Sequence, residues 1–296
     1  MKVAVLTGSE SSERSVALAS SKNVVEALSK KHQVDIYDFP TDLDKFLNNY
    51  KNYNAAVPVF HGPGGEDGKI QGFLNTLKVP FIFSDVEAHA VAMDKGLSKF
   101  IAEKIGLLTS AYKIIYNYQD LDFTKPVVVK PLVGGSSIGI SIVHDKNSLD
   151  KALKNAFNYS DKVLIEDYIE GKELTVAVID QNDETIALPV IEVRSKNNFF
   201  DYESKYDATL AEEICPAPIS EKLAKELQSQ AIKIHQAIGI RHISRTDFIV
   251  SDNKIYFLEV NTIPGMTNES LLPKAIKAAN KDFGHLLDMW LNSVIK

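Results

Sequence analysis

The run Ile255-Tyr-Phe-Leu-Glu-Val-Asn261 constrains this chain more than any other stretch. Tyr256, Leu258 and Val260 alternate with Phe257, Glu259 and Asn261, which reads as a strand. Its period of two sets Glu259 and Asn261 on one face. A shorter strand, Thr246-Asp-Phe-Ile-Val250, leads into a turn at Asn253, so the two can form a hairpin with Asp247 beside Glu259. Two carboxylates and an amide oxygen on neighbouring strands suit a hard cation, and Mg2+ on a nucleotide phosphate is the usual use of such a set. For Glu259 alone, a polar sheet edge with solvated acids is the simpler reading. Arg245 two residues before Asp247, and Gly265 in a Pro-Gly turn after Asn261, tip the balance toward a site.

The chain has 296 residues, room for two or three small domains with real cores. Apolar residues make up 45% and charged residues 24%, the proportions of a soluble globular protein. A net charge of −6 argues against nucleic acid as a partner. The lone Cys215 excludes an internal disulfide and suits a reducing compartment, and it reads as a packing residue. The first apolar run, Val3-Ala-Val-Leu6, is too short for a signal segment or a membrane span. The histidines show no zinc spacing, and there is no internal repeat.

Val3–Leu6 predicts a buried strand, followed by a helix from about Ser11 or Ser12 with Glu13 in its first turn. Val34–Tyr37 and Ala55–Phe60 predict further strands, the last ending at His61. This βαβ opening suggests a small doubly wound domain whose functional residues gather at the carboxyl ends of strands, where Glu13 and His61 both fall. The motif His61-Gly-Pro-Gly-Gly-Glu-Asp-Gly requires an unusual loop path and is not a Walker A loop. Val79–Phe83 predicts another strand, and Met93-Asp-Lys95 opens a long helix ending at Gly106.

In the next domain, the strand Val127–Lys130, the loop Pro131–Gly139 and the strand Ile140–Val143 can fold over phosphates, with loop N–H groups and the lysine facing the anion. Strands follow at Val163–Glu166, Leu174–Ile179 and Pro189–Val193. Backbone groups between Glu166 and Ile169 could hold an adenine edge. Residues 194–218 show little regular pattern and carry Phe199, Lys205 and Tyr206, which favours a lid closing on substrate. Ser220 caps a helix that runs through Ile238 to Gly239, and a last helix near Phe283–Val294 buries Trp290.

Together these motifs resemble the D-alanine–D-alanine ligase family of the ATP-grasp superfamily. The likeness rests on Gly8 to Glu13, the His61 motif, Met93-Asp-Lys95, Lys130-Pro131 with Gly135-Ser-Ser-Ile-Gly139, Phe200-Asp-Tyr-Glu-Ser-Lys-Tyr206, Ser244-Arg-Thr-Asp247 and Leu258-Glu-Val-Asn-Thr-Ile-Pro-Gly265. It covers nearly the whole chain. It implies an α/β fold: an N-terminal doubly wound parallel domain at 1–92, then a two-subdomain ATP-grasp fold at 93–169 and 170–296 that clamps ATP between two sheets. It implies ligation of two D-alanines through an acyl phosphate, for peptidoglycan precursors, by a cytoplasmic homodimer with no membrane partner.

The resemblance also implies roles. Glu13 would receive the first D-alanine's ammonium and tie down the loop through Ser136 and Tyr206, with His61 near that substrate's carboxylate. Arg245 and the Gly265 N–H would meet the developing oxyanion. Lys205, Ser270 and the Leu271 N–H would take the second D-alanine's carboxylate. Lys95 and Lys130 would balance phosphate charge, Glu173 would hold the ribose, and Glu166, Ile169, Phe199 and Leu258 would line the adenine pocket. Asp247, Glu259 and Asn261 would hold two Mg2+ (or Mn2+) ions. Ser9 for a common glycine, Gly134 for an acidic residue, His89 at a usually small position and Glu269 for a frequent histidine depart from the pattern. Rival readings are a ligase making D-alanyl-D-lactate or D-alanyl-D-serine, and a nucleotide-binding regulator without catalysis. Tyr206 speaks against the lactate form, and retention of Arg245, Asp247, Glu259, Asn261 and Gly265 speaks against the regulator.

Overall fold

The computed structural model describes residues 1–9, 11, 13–119, 121–195 and 211–295. Three sheets organise them. The first holds β1 (Lys2–Gly8), β2 (Gln33–Phe39) and β3 (Ala55–Val59) in the order β2-β1-β3. Both pairings are parallel, as a βαβ unit requires, with Val3 opposite Val34 on one side and Ala55 on the other. Helix α1 (Arg14–Ser29) links β1 to β2, starting later than its sequence suggests. Glu13 takes the N-cap position, yet its side chain makes no capping bond because the carboxylate is drawn to Ser136 instead.

Beyond α2 (Leu43–Asn49) and α3 (Lys69–Thr76), the strand expected at Val79–Phe83 does not form. A single bridge joins Phe81 to Ala56. Pro80 has no N–H to give, and positive φ angles at Lys78 (56°) and Phe83 (73°) turn the chain at either end. Met93 closes α4 (Val86–Met93), a helix the sequence did not announce, and α5 (Lys95–Lys104) starts on its own cap. Asp94 accepts from Gly96 N (2.9 Å) and Leu97 N (3.0 Å), which fixes Lys95 as the first residue of α5.

The second sheet is antiparallel: β5 (Tyr112–Ile115), β8 (Val163–Asp167), β6 (Val127–Pro131) and β7 (Ser141–Val143). Helix α6 (Lys146–Phe157) covers one of its faces with Leu149, Ala152, Leu153 and Ala156. The third sheet runs β12 (Ala211–Ile214), β11 (Ile191–Ser195), β9 (Lys172–Gln181), β13 (Ile243–Ser251), β14 (Lys254–Asn261), β4 (Leu108–Thr109), with β10 (Glu184–Ala187) beside β9. Both ends of the segment 194–218 are therefore ordered. Arg194 pairs with Glu212 between β11 and β12, because the ladder to β9 offers β11 a template and β11 in turn offers one to β12. Residues 196–210 lie outside the described residues, and so does the core of the expected lid.

Helix α7 (Glu221–Ile238) is capped by Ser220 at Leu223 N and closed by Gly239 at φ +75°, as the sequence reads. Helices α8 (Leu271–Ala278) and α9 (Phe283–Val294) complete the described chain. Trp290, 1% exposed, packs with Leu286 and Leu287 of α9 against Val3 and Val5 of the first sheet and Ile179 of the third. Its indole N–H bonds Asp180 O at 2.7 Å. This shared core welds the first and third sheets into one body, and half-buried Cys215 packs on it.

Candidate active site

The β13–β14 hairpin forms in the expected register, Asp247 opposite Glu259 and Arg245 opposite Asn261. A register shift between Asp247 and Phe248 marks a bulge beside these carboxylates. Arg245 grips Asp247 with two bonds, Nε to Oδ1 at 3.0 Å and Nη2 to Oδ2 at 2.9 Å. Thr175 Oγ1 donates to Asp247 Oδ1 at 2.5 Å and Asn261 Nδ2 to Oδ2 at 3.3 Å. Burial pulls the guanidinium's proton affinity down most strongly, but Asp247, with Glu259 and Glu66, together outweigh it and raise that affinity. Among the described residues no group of three His, Cys, Asp or Glu side chains is placed to hold a metal ion by itself. The hairpin instead offers two carboxylates and an amide, all hard oxygen donors that suit a magnesium-like ion.

Glu13 sits at the carboxyl end of β1, 6% exposed. Its Oε1 accepts a short bond from Ser136 Oγ, which crosses from the β6–β7 loop. The carboxylate fits only because its neighbours lack side chains. A Cβ at Gly62 would come within 2.4 Å of Glu13 Oε2, and one at Gly135 within 3.0 Å. Ser9, at the position where a glycine is common, holds φ 93°, a conformation that glycine adopts more readily. His61 is 4% exposed, its Nε2 3.0 Å from Ser20 Oγ. Burial pulls its pKa down to about 4, so the imidazole is neutral at physiological pH.

Lys95 and Lys130 project between the second and third sheets. Lys95 Nζ donates to Gly134 O at 2.5 Å and lies 3.6 Å from Glu259. Lys130 is ion-paired with Glu166 across the β6–β8 pair. Burial opposes the Lys130 charge most strongly, but Glu166, with Glu259 and Glu173 of the third sheet, together outweigh it. The two sheets therefore face one another across these lysines. The Ser270 hydroxyl accepts from Thr267 N at 3.1 Å, standing at the N-cap of α8 where the Leu271 N–H has no helical partner.

One cavity of about 460 Å3 joins these groups. Glu13, His61, Ser136, Arg245 and Gly265 line it, as do Asp247, Glu259, Asn261, Glu173, Ser270 and Leu271. Lys95 lies at its edge through Glu259, whereas Lys130, Glu166, Ile169 and Leu258 stand outside its wall. Phe199, Lys205 and Tyr206 lie outside the described residues. Sequence reasoning gave no role to Glu66, which also lines the cavity and bonds Gly62 N (2.8 Å) and Ile263 N (3.3 Å). Burial, then the Glu13 charge, pushes its pKa up to about 8. Its place in the glycine-rich motif was the available signal. Lys274 was missed too; it lines the same wall, paired with Glu213 at 2.7 Å. His89 is fully buried with Nδ1 2.6 Å from Thr262 Oγ1, which braces the turn after Asn261. Glu269 is mostly solvent-exposed.

Residues 109–292 match the family model described as D-ala D-ala ligase C-terminus. D-alanine–D-alanine ligase from Desulfotalea psychrophila is 42% identical over 97% of this chain and 93% of its own length. A crystal structure of D-alanine–D-alanine ligase from Bacillus anthracis superposes with a TM-score of 0.87 at 33% identity, over 99% of this chain and 97% of that one. A structure of the same ligase complexed with ATP gives 0.85 at 30% identity over the same shares. Sequence, fold and the order of the site motifs agree: the chain belongs to the D-alanine–D-alanine ligase family of ATP-grasp enzymes.

Proposed function

We propose that this chain joins two D-alanines into D-alanyl-D-alanine for peptidoglycan precursors, splitting ATP to ADP and phosphate. The observation that carries the reading is the meeting of Glu13, Arg245, Asp247, Glu259, Asn261 and Gly265 in one cavity. Glu13 anchors the ammonium of the first D-alanine, held in place by Ser136. A carboxylate oxygen of that substrate attacks the γ-phosphorus, and ADP departs from the resulting acyl phosphate. The amine of the second D-alanine, once deprotonated, attacks the acyl carbon, and phosphate leaves as the amide forms. Arg245 and the Gly265 N–H stabilise the negative charge that builds on the acyl oxygen.

Ser270 and the first amides of α8, with Lys205, orient the carboxylate of the second D-alanine. His61 flanks the first substrate as a neutral imidazole. Asp247, Glu259 and Asn261 are the residues that would hold two Mg2+ (or Mn2+) ions, which when bound neutralise phosphate charge. Lys95 and Lys130 share that task. Glu173 takes the ribose, and Glu166, Ile169, Phe199 and Leu258 surround the adenine. Tyr206 ties the lid to Ser136 and Glu13. We divide the chain into 1–92, 93–169 and 170–296, with one sheet centred in each range, although β4 pairs within the third sheet and α5 packs on it. We place the enzyme in the cytoplasm, which suits a lone cysteine, as a homodimer, which sedimentation would test.

Phosphate release from ATP is measured with D-alanine, D-serine or D-lactate beside D-alanine, and the products are identified by mass. D-alanine alone should sustain release and yield the dipeptide. Release that depends on D-lactate or D-serine would replace this product assignment, and ATP binding without release would return the chain to the regulator class.

A further inference from the structure

Lys99 is fully buried, yet the reaction outlined above does not use it. It lies one turn beyond Lys95 on α5, so both lysines leave the same face of the helix. Its Nζ sits 2.8 Å from Glu166 Oε2, 3.2 Å from Ser110 Oγ and 5.7 Å from the centre of the Tyr112 ring. Ser110 Oγ donates to that same Glu166 oxygen at 2.8 Å. The other carboxylate oxygen belongs to Lys130. Glu166, 3% exposed, is thus a carboxylate shared by two lysines, one on each oxygen. Its proton affinity falls well below the ordinary carboxylate range, because the lysine charges outweigh the burial that opposes them.

We propose that Lys99 is a positioning residue for the nucleotide: by neutralising Glu166 from one side, it lets Lys130 pass from that carboxylate to the phosphates of ATP. The proposal rests on the reading that Lys130 meets the polyphosphate. A buried carboxylate that loses its only cation is strongly disfavoured. Without Lys99, Lys130 must either stay on Glu166 or leave a bare anion beside incoming phosphates of the same sign. With Lys99 and Ser110 in place, Oε2 keeps a cation and a hydroxyl donor when Lys130 moves. Burial lowers the Lys99 proton affinity and Glu166 opposes that pull; with both lysines charged the trio is net positive, which is what a polyphosphate site needs.

The test is titration of the full chain with ATP and Mg2+, joined to steady-state kinetics. Lys130→Met checks the underlying reading and should weaken ATP binding. Lys99→Met should raise the Kd for ATP about tenfold or more, because only part of the cost of breaking a buried charge pair has to reach the nucleotide site for that, each factor of ten being about 1.4 kcal/mol. The loss should appear in KM for ATP rather than in kcat. Glu166→Gln placed in the Lys99→Met background removes the anion that holds Lys130 and should recover most of the affinity. A lysine that only held the fold would shift the urea midpoint and leave the Kd for ATP of the folded protein unchanged. If Lys99→Met does not fold, Ser110→Ala carries the same test, its smaller loss also cancelled by Glu166→Gln. Wild-type affinity in Lys130→Met would overturn the phosphate reading and this proposal with it. A weak Lys130→Met beside an unaffected Lys99→Met, or a double variant no better than the single one, would overturn the role of Lys99 alone.

Discussion

Glu66 should make this protein lose stability as the medium turns alkaline. Its carboxyl is 9% exposed, accepts two backbone N–H bonds and faces Glu13, with Arg245 only partly offsetting the burial. Its pKa rises from 4.5 to about 8 in the folded state. Below 4.5 the folded and unfolded chains both hold the proton, and the full contribution to stability is present. Between 4.5 and about 8 the unfolded chain ionises first, so stability drains away as pH rises, and the loss is complete above the folded pKa. At 1.36 kcal/mol per pH unit, the loss reaches up to about 5 kcal/mol. Glu66→Gln has the same shape and never ionises. Urea unfolding at about pH 5, 7 and 9 would follow both proteins. Nearly equal stabilities are expected at the lowest pH, with the variant ahead by several kcal/mol at the highest. The buried histidines, whose pKa values are lowered to about 4, titrate in both proteins and cancel in the difference. A difference that stays constant with pH would refute the reasoning, since Glu66 would then ionise alike in both states.

Glu259→Gln should keep the urea midpoint and remove nearly all Mg2+-dependent turnover; near-normal turnover would cost Glu259 its metal role. Arg245→Met should lower turnover by roughly 10²–10³, the scale of one lost oxyanion donor, and loss of ATP affinity alone would make it a nucleotide residue instead. Gly62→Ala places a Cβ 2.4 Å from Glu13 Oε2 at φ +75°, so KM for the first D-alanine should rise as the carboxylate is displaced. Its thermal midpoint should fall with a strain of about 1–3 kcal/mol, and unchanged kinetics would contradict that close approach. Trp290→Ala should cost about 3–5 kcal/mol by chemical denaturation with little change in kcat for the folded fraction, because the buried ring does not itself line the cavity.

Much of the site was legible because it lies on short, strongly patterned elements. Period two alone set Glu259 and Asn261 on one face, and the turn between the strands set Asp247 opposite Glu259. The ends of α7 and α9 followed from a serine cap, a glycine stop and an apolar stripe. Those features are local, so the chain carries them whatever surrounds it. The start of α1 and the pairing of Ala211–Ile214 with β11 were decided elsewhere. Each depends on a partner distant in sequence: Ser136 for Glu13, and a β9-anchored strand for β12. Proton affinities belong to the same class. Nothing near Glu66 or Lys99 in sequence announces a buried acid at about 8 or a fully buried lysine. Both states arise from desolvation and from charges on other elements, and only tertiary packing brings those to within a few ångströms of one another.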